Sequence, residues 1–302
     1  MTKISIFRNM LEYQKGFTPE FVRDVIQQRM LDGLRIFDLN RPLDSLDFLT
    51  EFDFLEKLSI SCLFDLDYTF LKKLSRLTSL DISPSAKIGK TIDLSHLTEL
   101  LDLHIHWLRG KIVGLQNCKK LESFSARIFN EADLQSMGQC TNLRSIKLSD
   151  SSIKSLEGIS NLQKLEHLDL GLCGRLTSIE EINQVSSLRS LVFQNCPNVR
   201  DFGVLAGLKN LRSLDISACK GINSIKFVDE LEQLEELTMR QNTLVLDNDL
   251  MPARRIKKLI YVPHKSYNIT ILANKLAEVE SEEQAVMNWI LTGEGDEPKY
   301  PS

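Results

Sequence analysis

Across this chain of 302 residues one short apolar pattern returns again and again: an apolar residue, a second three places on, and a third two places after that. The copies are Leu31/Leu34/Ile36, Leu55/Leu58/Ile60, Leu77/Leu80/Ile82, Leu100/Leu103/Ile105, Leu121/Phe124/Ala126, Leu143/Ile146/Leu148, Leu165/Leu168/Leu170, Leu188/Leu191/Phe193, Leu211/Leu214/Ile216, Leu234/Leu237/Met239 and Ile256/Leu259/Tyr261. Successive copies start 21 to 24 residues apart, and chance does not hold eleven copies in register. Of the 49 leucines, 45 lie between Leu31 and Leu259, so the leucine excess is positional.

Within each copy the fourth and sixth residues alternate with polar ones, which describes a short strand buried on one side. Apolar residues then return every third place, as in Ile153, Leu156, Ile159 and Leu162, or Ile222, Ile225, Val228 and Leu231. A period of three suits 3₁₀-like turns, in which residues i and i+3 eclipse, better than a long α-helix. A single copy cannot bury its own apolar residues, but copies stacked about 4.8 Å apart share a continuous sheet and core. Eleven rungs at that spacing make an arc roughly 50 Å long.

The clearest copies are LRSIKLSDSSIKSLEGISNLQK (143–164) and LRSLDISACKGINSIKFVDELEQ (211–233). They resemble the leucine-rich repeat family, whose repeat reads L-x-x-L-x-L-x-x-N/C-x-L. The resemblance covers residues 31–262, about three quarters of the chain. It implies an α/β fold: a right-handed leucine-rich-repeat solenoid, or horseshoe, of about eleven repeats. The solenoid would have a concave parallel β-sheet, a 3₁₀ or irregular convex side, and helical caps. Repeats of about 22 residues most resemble the internalin-like and protein phosphatase 1 regulatory classes. The ninth position departs from the family, with Cys173, Cys196 and Cys219 in succession, Asn only at Asn242, and Leu39, Leu63, Leu108 or Phe129 earlier. An asparagine ladder is therefore mostly missing, and the N-terminal turns are expected to be less regular than the stretch from 143 to 240.

A solenoid exposes its core at both ends, so segments that break the pattern should close it. Residues 1–30 read as an N-terminal capping segment. In it Thr18-Pro19-Glu20 opens a helix over about 19–31, with Phe21, Val22, Val25, Ile26 and Met30 at helical spacing. The solenoid is assigned to 31–262. Residues 263–292 read as a C-terminal cap, in which Ser281-Glu282-Glu283-Gln284 opens a second helix carrying Val286, Trp289 and Ile290. The polar tail GEGDEPKYPS, 293–302, is expected to be disordered.

Composition narrows the function classes. Hydrophobic residues are 42% and charged residues 26%, which fits a globular protein. A net charge of −4 gives no global positive field for nucleic acid or an anionic membrane. No stretch has the roughly 18 apolar residues a membrane helix needs, and the N-terminus lacks the apolar run of a secretory signal. Six cysteines without a Cys-x-x-Cys pair argue against a disulfide framework and a zinc cluster, which makes a reducing cytoplasm the expected location. No phosphate loop, G-x-G-x-x-G, H-E-x-x-H or G-x-S-x-G is present, so neither enzymatic activity nor a cofactor is expected.

Among residues that could carry chemistry, Cys118, Cys140, Cys173, Cys196 and Cys219 occupy core slots of the repeat, and Cys62 alone is placed where a thiol could react. His104 and His106 lie two apart on one strand near Asp81 and Asp102, a spacing able to ligate a metal. His167, three turns away at roughly 14 Å, is too distant to complete the set, and no metal is expected. What remains is the concave face. Its middle gathers His104, His106, Trp107, Arg127, Lys147, His167, Asp169 and Leu172, and Trp and Arg are the residues that most often anchor interfaces. Trp107 either projects as such an anchor or turns inward to fill the space left by the 21-residue repeat. The resulting reading is a monomeric, non-enzymatic scaffold that grips a protein partner on its concave face. A regulatory subunit of a phosphatase or other enzyme, and an exported internalin-like effector or adhesin, are the alternatives.

Overall fold

The computed structural model describes residues 4–38, 45–62, 66–84, 89–262, 264 and 266–268. Its spine is a sheet of thirteen strands that follow one another in space as they do in sequence. They are β1 (Ile6–Phe7), β2 (Met10–Glu12), β3 (Gly33–Asp38), β4 (Lys57–Cys62), β5 (Ser79–Ser83), β6 (Asp102–His106) and β7 (Ser123–Arg127). The remainder are β8 (Ser145–Ser149), β9 (His167–Gly171), β10 (Ser190–Gln194), β11 (Ser213–Asp215), β12 (Glu236–Met239) and β13 (Lys258–Tyr261). β1 and β2 pair antiparallel, and every later neighbour pairs parallel.

The register follows the repeat. Fourth-position residues face one another from turn to turn, Leu34 with Leu58, Leu80 with Leu103, Phe124 with Ile146, Leu168 with Leu191, and Leu214 with Leu237. All of these are buried, so one apolar column runs the length of the sheet. The return path is made of short 3₁₀ helices such as Ile159–Asn161, Glu180–Gln184, Gly203–Gly207 and Lys226–Glu230, as the period of three requires. This is an open horseshoe solenoid.

At the N-terminal end, α1 (Pro19–Gln28) begins at Thr18, whose Oγ1 accepts the Phe21 N–H at 3.2 Å, and buries Val22 and Val25. It stops short of the expected residue 31 because Met30 takes a left-handed φ of 49° and turns the chain into β3. The β1–β2 hairpin was not apparent from sequence. Arg8 and Asn9, both with positive φ (49° and 62°), form its two-residue turn. The C-terminal cap proposed over 263–292 and the tail 293–302 lie outside the described residues, apart from residues 264 and 266–268. Among these, buried Tyr267 accepts the Val245 N–H at 2.9 Å, and Asn268 Oδ1 accepts the Leu250 N–H at 3.0 Å.

Between turns runs a ladder of buried polar side chains. Ser151 Oγ donates to the Phe129 carbonyl (2.6 Å), Cys196 Sγ to Leu170 (3.4 Å), Cys219 Sγ to Phe193 (3.0 Å) and Thr243 Oγ1 to Ile216 (2.9 Å). Each joins one turn to the preceding one. Asn242, which the repeat places in this column, is exposed, and the adjacent Thr243 takes its role. In the same stretch the eighth residue of six successive repeats, Ile128, Asp150, Leu172, Asn195, Ala218 and Gln241, is left-handed, with φ between 55° and 60°. Among the described residues no helix is long and apolar enough to cross a membrane.

Candidate functional site

The parallel register sets the central concave residues side by side. Asp81, His104, Ser125, Lys147 and Asp169 form one row across β5 to β9, and His106, Arg127, Ser149 and Gly171 form the row beside it. His104, Arg127, Lys147 and His167 are exposed, while His106 and Asp169 are half-buried. Lys147 is ion-paired with Asp169. Burial, reinforced by the Arg127 charge and opposed by Asp150, holds the His106 imidazole below its usual range, so it favours the neutral form. Leu172 is 51% exposed because its left-handed backbone throws the side chain outward. Seven of the eight sequence-selected residues therefore do share one surface.

Trp107 does not join them. It is only 3% exposed, its Nε1 donates to Glu131 Oε1 at 3.1 Å, and its ring packs on Phe129 and Phe124 with centroids 4.9 and 6.0 Å apart. The reason lies in the backbone: Trp107 occupies the eighth position of its repeat but lacks the left-handed φ of the next six, five of which are exposed there. Its indole fills the short 21-residue turn and is core.

The thiols are core as well. Cys118, Cys140, Cys173, Cys196 and Cys219 are buried and unpaired, and burial pushes Cys118 up to about 12, Cys140 to about 11 and Cys219 to about 12. Those three stay protonated and unreactive at neutral pH, whereas a hydrogen bond with Cys196 holds the Cys173 thiol below its usual range. The side chain of Cys62, the one cysteine singled out as reactive, lies outside the described residues. Among the described residues no group of three or more His, Cys, Asp or Glu side chains is placed to hold a metal ion.

A second cluster, absent from the sequence-based set, sits at the N-terminal end of the same face. Arg35 is sandwiched between two rings, its Cζ 4.2 Å from the Phe7 centroid and 4.3 Å from that of Phe37, and Glu12 accepts its Nη1 at 2.6 Å. Both rings face solvent, Phe7 at 42% and Phe37 at 47% exposure. Half of this cluster was legible: Phe37 stands at the seventh position, where other copies carry Ser83, Ser149, Gly171 and Ser217. Phe7 belongs to the hairpin and has no place in the repeat. A separate cleft of about 660 Å³ opens beside α1, lined by Arg23, Ile26 and Met30 and by Asp53, Phe54 and Arg76 of two successive turns. Its charges are of both signs.

Comparison with known proteins agrees with this geometry. The profile of the Zer-1-like leucine-rich repeat family matches residues 156–248. Among solved structures, the internalin InlF from Listeria monocytogenes is similar at a TM-score of 0.57 and 20% identity, over 76% of this chain and 72% of that one. The functional domain of InlJ from Listeria monocytogenes, described as including a cysteine ladder, gives 0.50 at 12% identity, over 75% of this chain and 55% of its own. TLR13 in its complex with ssRNA13 gives 0.50 at 18% identity, over 83% and 46%. No curated protein sequence matches the chain. At such identities the likeness is one of fold, and it coincides with the repeat, the parallel register and the interturn ladder: the chain is a leucine-rich repeat protein.

Proposed function

We propose that the chain is a non-enzymatic scaffold that binds another protein on its concave face. The observation behind this reading is the make-up of β7 and β8, whose concave residues are Ser123, Ser125 and Arg127 beside Ser145, Lys147 and Ser149. Four small hydroxyl side chains allow a second chain to approach the strands closely. The Arg127 side chain has no hydrogen-bond or ion-pair partner among the described residues, so its guanidinium is available to acceptors of a partner. An available Arg is the kind of side chain that most often anchors an interface. The fold supports the same reading in general terms, since solenoids present extended concave surfaces.

The test is co-purification from native cells with wild-type protein and with a Ser125→Arg, Ser149→Arg double variant, both exposed enough to accept the larger side chain. Loss of the wild-type partner with an unchanged circular dichroism spectrum is expected, and equal recovery would sink the reading. We further place the protein in a reducing compartment, on the strength of its five buried, unpaired thiols, and propose that it is a monomer. Cell fractionation and sedimentation velocity test those two statements.

A further inference from the structure

We propose that the free edge of β1 is a strand-addition site. An extended segment of another protein joins the sheet beside Ile6–Phe7, seats an apolar side chain against the Phe7–Arg35–Phe37 stack and turns a carboxylate toward Arg8. The inference rests on the scaffold reading above and assigns the partner's chemistry and the end of the arc it occupies.

The hydrogen-bond parity of the hairpin sets the edge. Phe7 faces Met10 across the two-residue turn, and the Glu12 N–H donates to the Ser5 carbonyl at 3.0 Å. In an antiparallel ladder these hydrogen-bonded pairs alternate with non-hydrogen-bonded ones, so Ile6, opposite Leu11, points its N–H and carbonyl away from the hairpin. β1 is the last strand of the sheet, and among the described residues nothing pairs with that side. Sheet edges of this kind are ordinarily blunted by charge or proline, yet the outward-facing residue here is an isoleucine, 42% exposed.

The surface beside the edge is preorganised. Phe7 and Phe37 are the only exposed phenylalanines among the described residues, and they hold one arginine between them. Glu12 neutralises that arginine, whose side chain is only 14% exposed, so the stack offers rigid ring surface in place of a free charge. Arg8 differs. Its guanidinium lies 5.3 Å from the Phe7 centroid and has no carboxylate among the described residues. Backbone pairing, an apolar seat and an uncompensated cation together fit an extended segment with an apolar residue next to Asp or Glu.

A second copy of this chain fits less well. Antiparallel pairing of two β1 edges about a twofold axis at Ile6 sets Arg8 opposite Ile4 of the other copy, which leaves both guanidinium groups without a carboxylate.

The experiment pans a random twelve-residue peptide phage library on the full chain, then measures affinity of the enriched peptides for Ile6→Pro, Phe37→Ser, Arg8→Glu and Arg127→Glu. Proline at residue 6 removes the outward N–H while sparing every hairpin bond. Enriched peptides should pair an apolar residue with Asp or Glu, and lose at least tenfold in affinity with Ile6→Pro and with Phe37→Ser. Selection on Arg8→Glu should drop the acidic residue. If Ile6→Pro unfolds the hairpin, the exposed substitutions Phe37→Ser and Arg8→Glu carry the test alone. Failure to enrich any such peptide, or unchanged affinity in those variants, overturns the proposal. A dimer in sedimentation that Ile6→Pro turns into monomer assigns the edge to a second copy and overturns it too. Peptides lost only with Arg127→Glu place binding at the centre of the arc, which overturns this inference and leaves the scaffold reading intact. Peptides indifferent to all four variants overturn both.

Discussion

The turns before Leu143 and those from Leu143 to Val245 are built on one repeat, yet they are locked in two ways. The later stretch is held by hydrogen bonds: Cys196, Cys219 and Thr243 each reach back to a carbonyl of the preceding turn, with Ser151 at the head of the series. The earlier stretch has two such bonds, Cys118 Sγ to the Leu94 carbonyl (3.7 Å) and Cys140 Sγ to the Leu115 carbonyl (3.4 Å), and adds clusters of rings. Trp107 and Phe129 each meet Phe124 edge to face, and nearer the cap Tyr13 stacks on Phe48, Phe48 meets Phe52 edge to face, and Phe52 stacks on Phe54. A small polar side chain at the ninth position fixes the distance between turns through directional bonds, as Ser151, Cys196 and Cys219 do. A ring fills whatever volume a turn of irregular length leaves.

The largest effect should come from breaking the ring-filled half. Trp107→Ala removes a nearly buried indole and the donor to Glu131, and such a deletion costs about 3–5 kcal/mol. Urea unfolding would report the loss, and hydrogen exchange should show it concentrated between residues 77 and 130, with turns 143–245 protected as before. Uniform loss of protection would mean that the two halves do not act as separate units.

Next in size is the ladder. Thr243 Oγ1 accepts the Cys219 N–H at 3.0 Å and donates to the Ile216 carbonyl, both in buried surroundings. Thr243→Val keeps the shape and strands both groups, at about 1–3 kcal/mol. Asn242→Ala, one residue away and exposed, should leave the midpoint of urea unfolding where it is. If Asn242→Ala proves the costlier change, the ladder is assigned one residue off.

The left-handed column supplies an effect of opposite sign. Ile128 and Leu172 sit at φ of 55° and 56° with exposed side chains, a conformation costing roughly 1–2 kcal/mol that Asn adopts readily. Ile128→Asn and Leu172→Asn should each stabilise by about 1 kcal/mol, and Asn195→Ile should cost a similar amount. A thermal melt on the three variants checks all of these.

What the sequence disclosed follows from what a linear pattern can carry. The fourth-position column from Leu34 to Leu259 was legible because apolar spacing maps directly onto register. The direction of Trp107 was not, since it hangs on the sign of one φ, and the residues of the eighth position, Ile, Asp, Leu, Asn, Ala and Gln, show no common preference. The swap of Asn242 for Thr243 is a one-residue offset that the repeat alone cannot reveal. The Phe7–Arg35–Phe37 stack depends on a hairpin whose strands hold two and three residues and whose partner, β3, lies more than twenty residues on. Such short strands leave no periodicity to read.

The smallest effect lies inside the ring-filled stretch. His106 lies on the last strand before the ring cluster, half-buried, with Arg127 beside it and Asp150 the one opposing charge. Its folded pKa is depressed, whereas in the unfolded chain it returns to about 6.5. Above that pH both states are neutral at this position and it contributes no pH dependence. As pH falls through about 6.5 the unfolded chain takes up a proton that the folded chain resists, so stability drops on the acid side. His106→Gln abolishes the difference, and its stability plotted from pH 7.5 to 5.5 should be flatter than that of the wild type. A wild-type curve no steeper than the variant's would mean that the imidazole is better solvated than its place between Arg127 and the Trp107 turn implies. The apolar packing there would then be looser than the buried indole indicates.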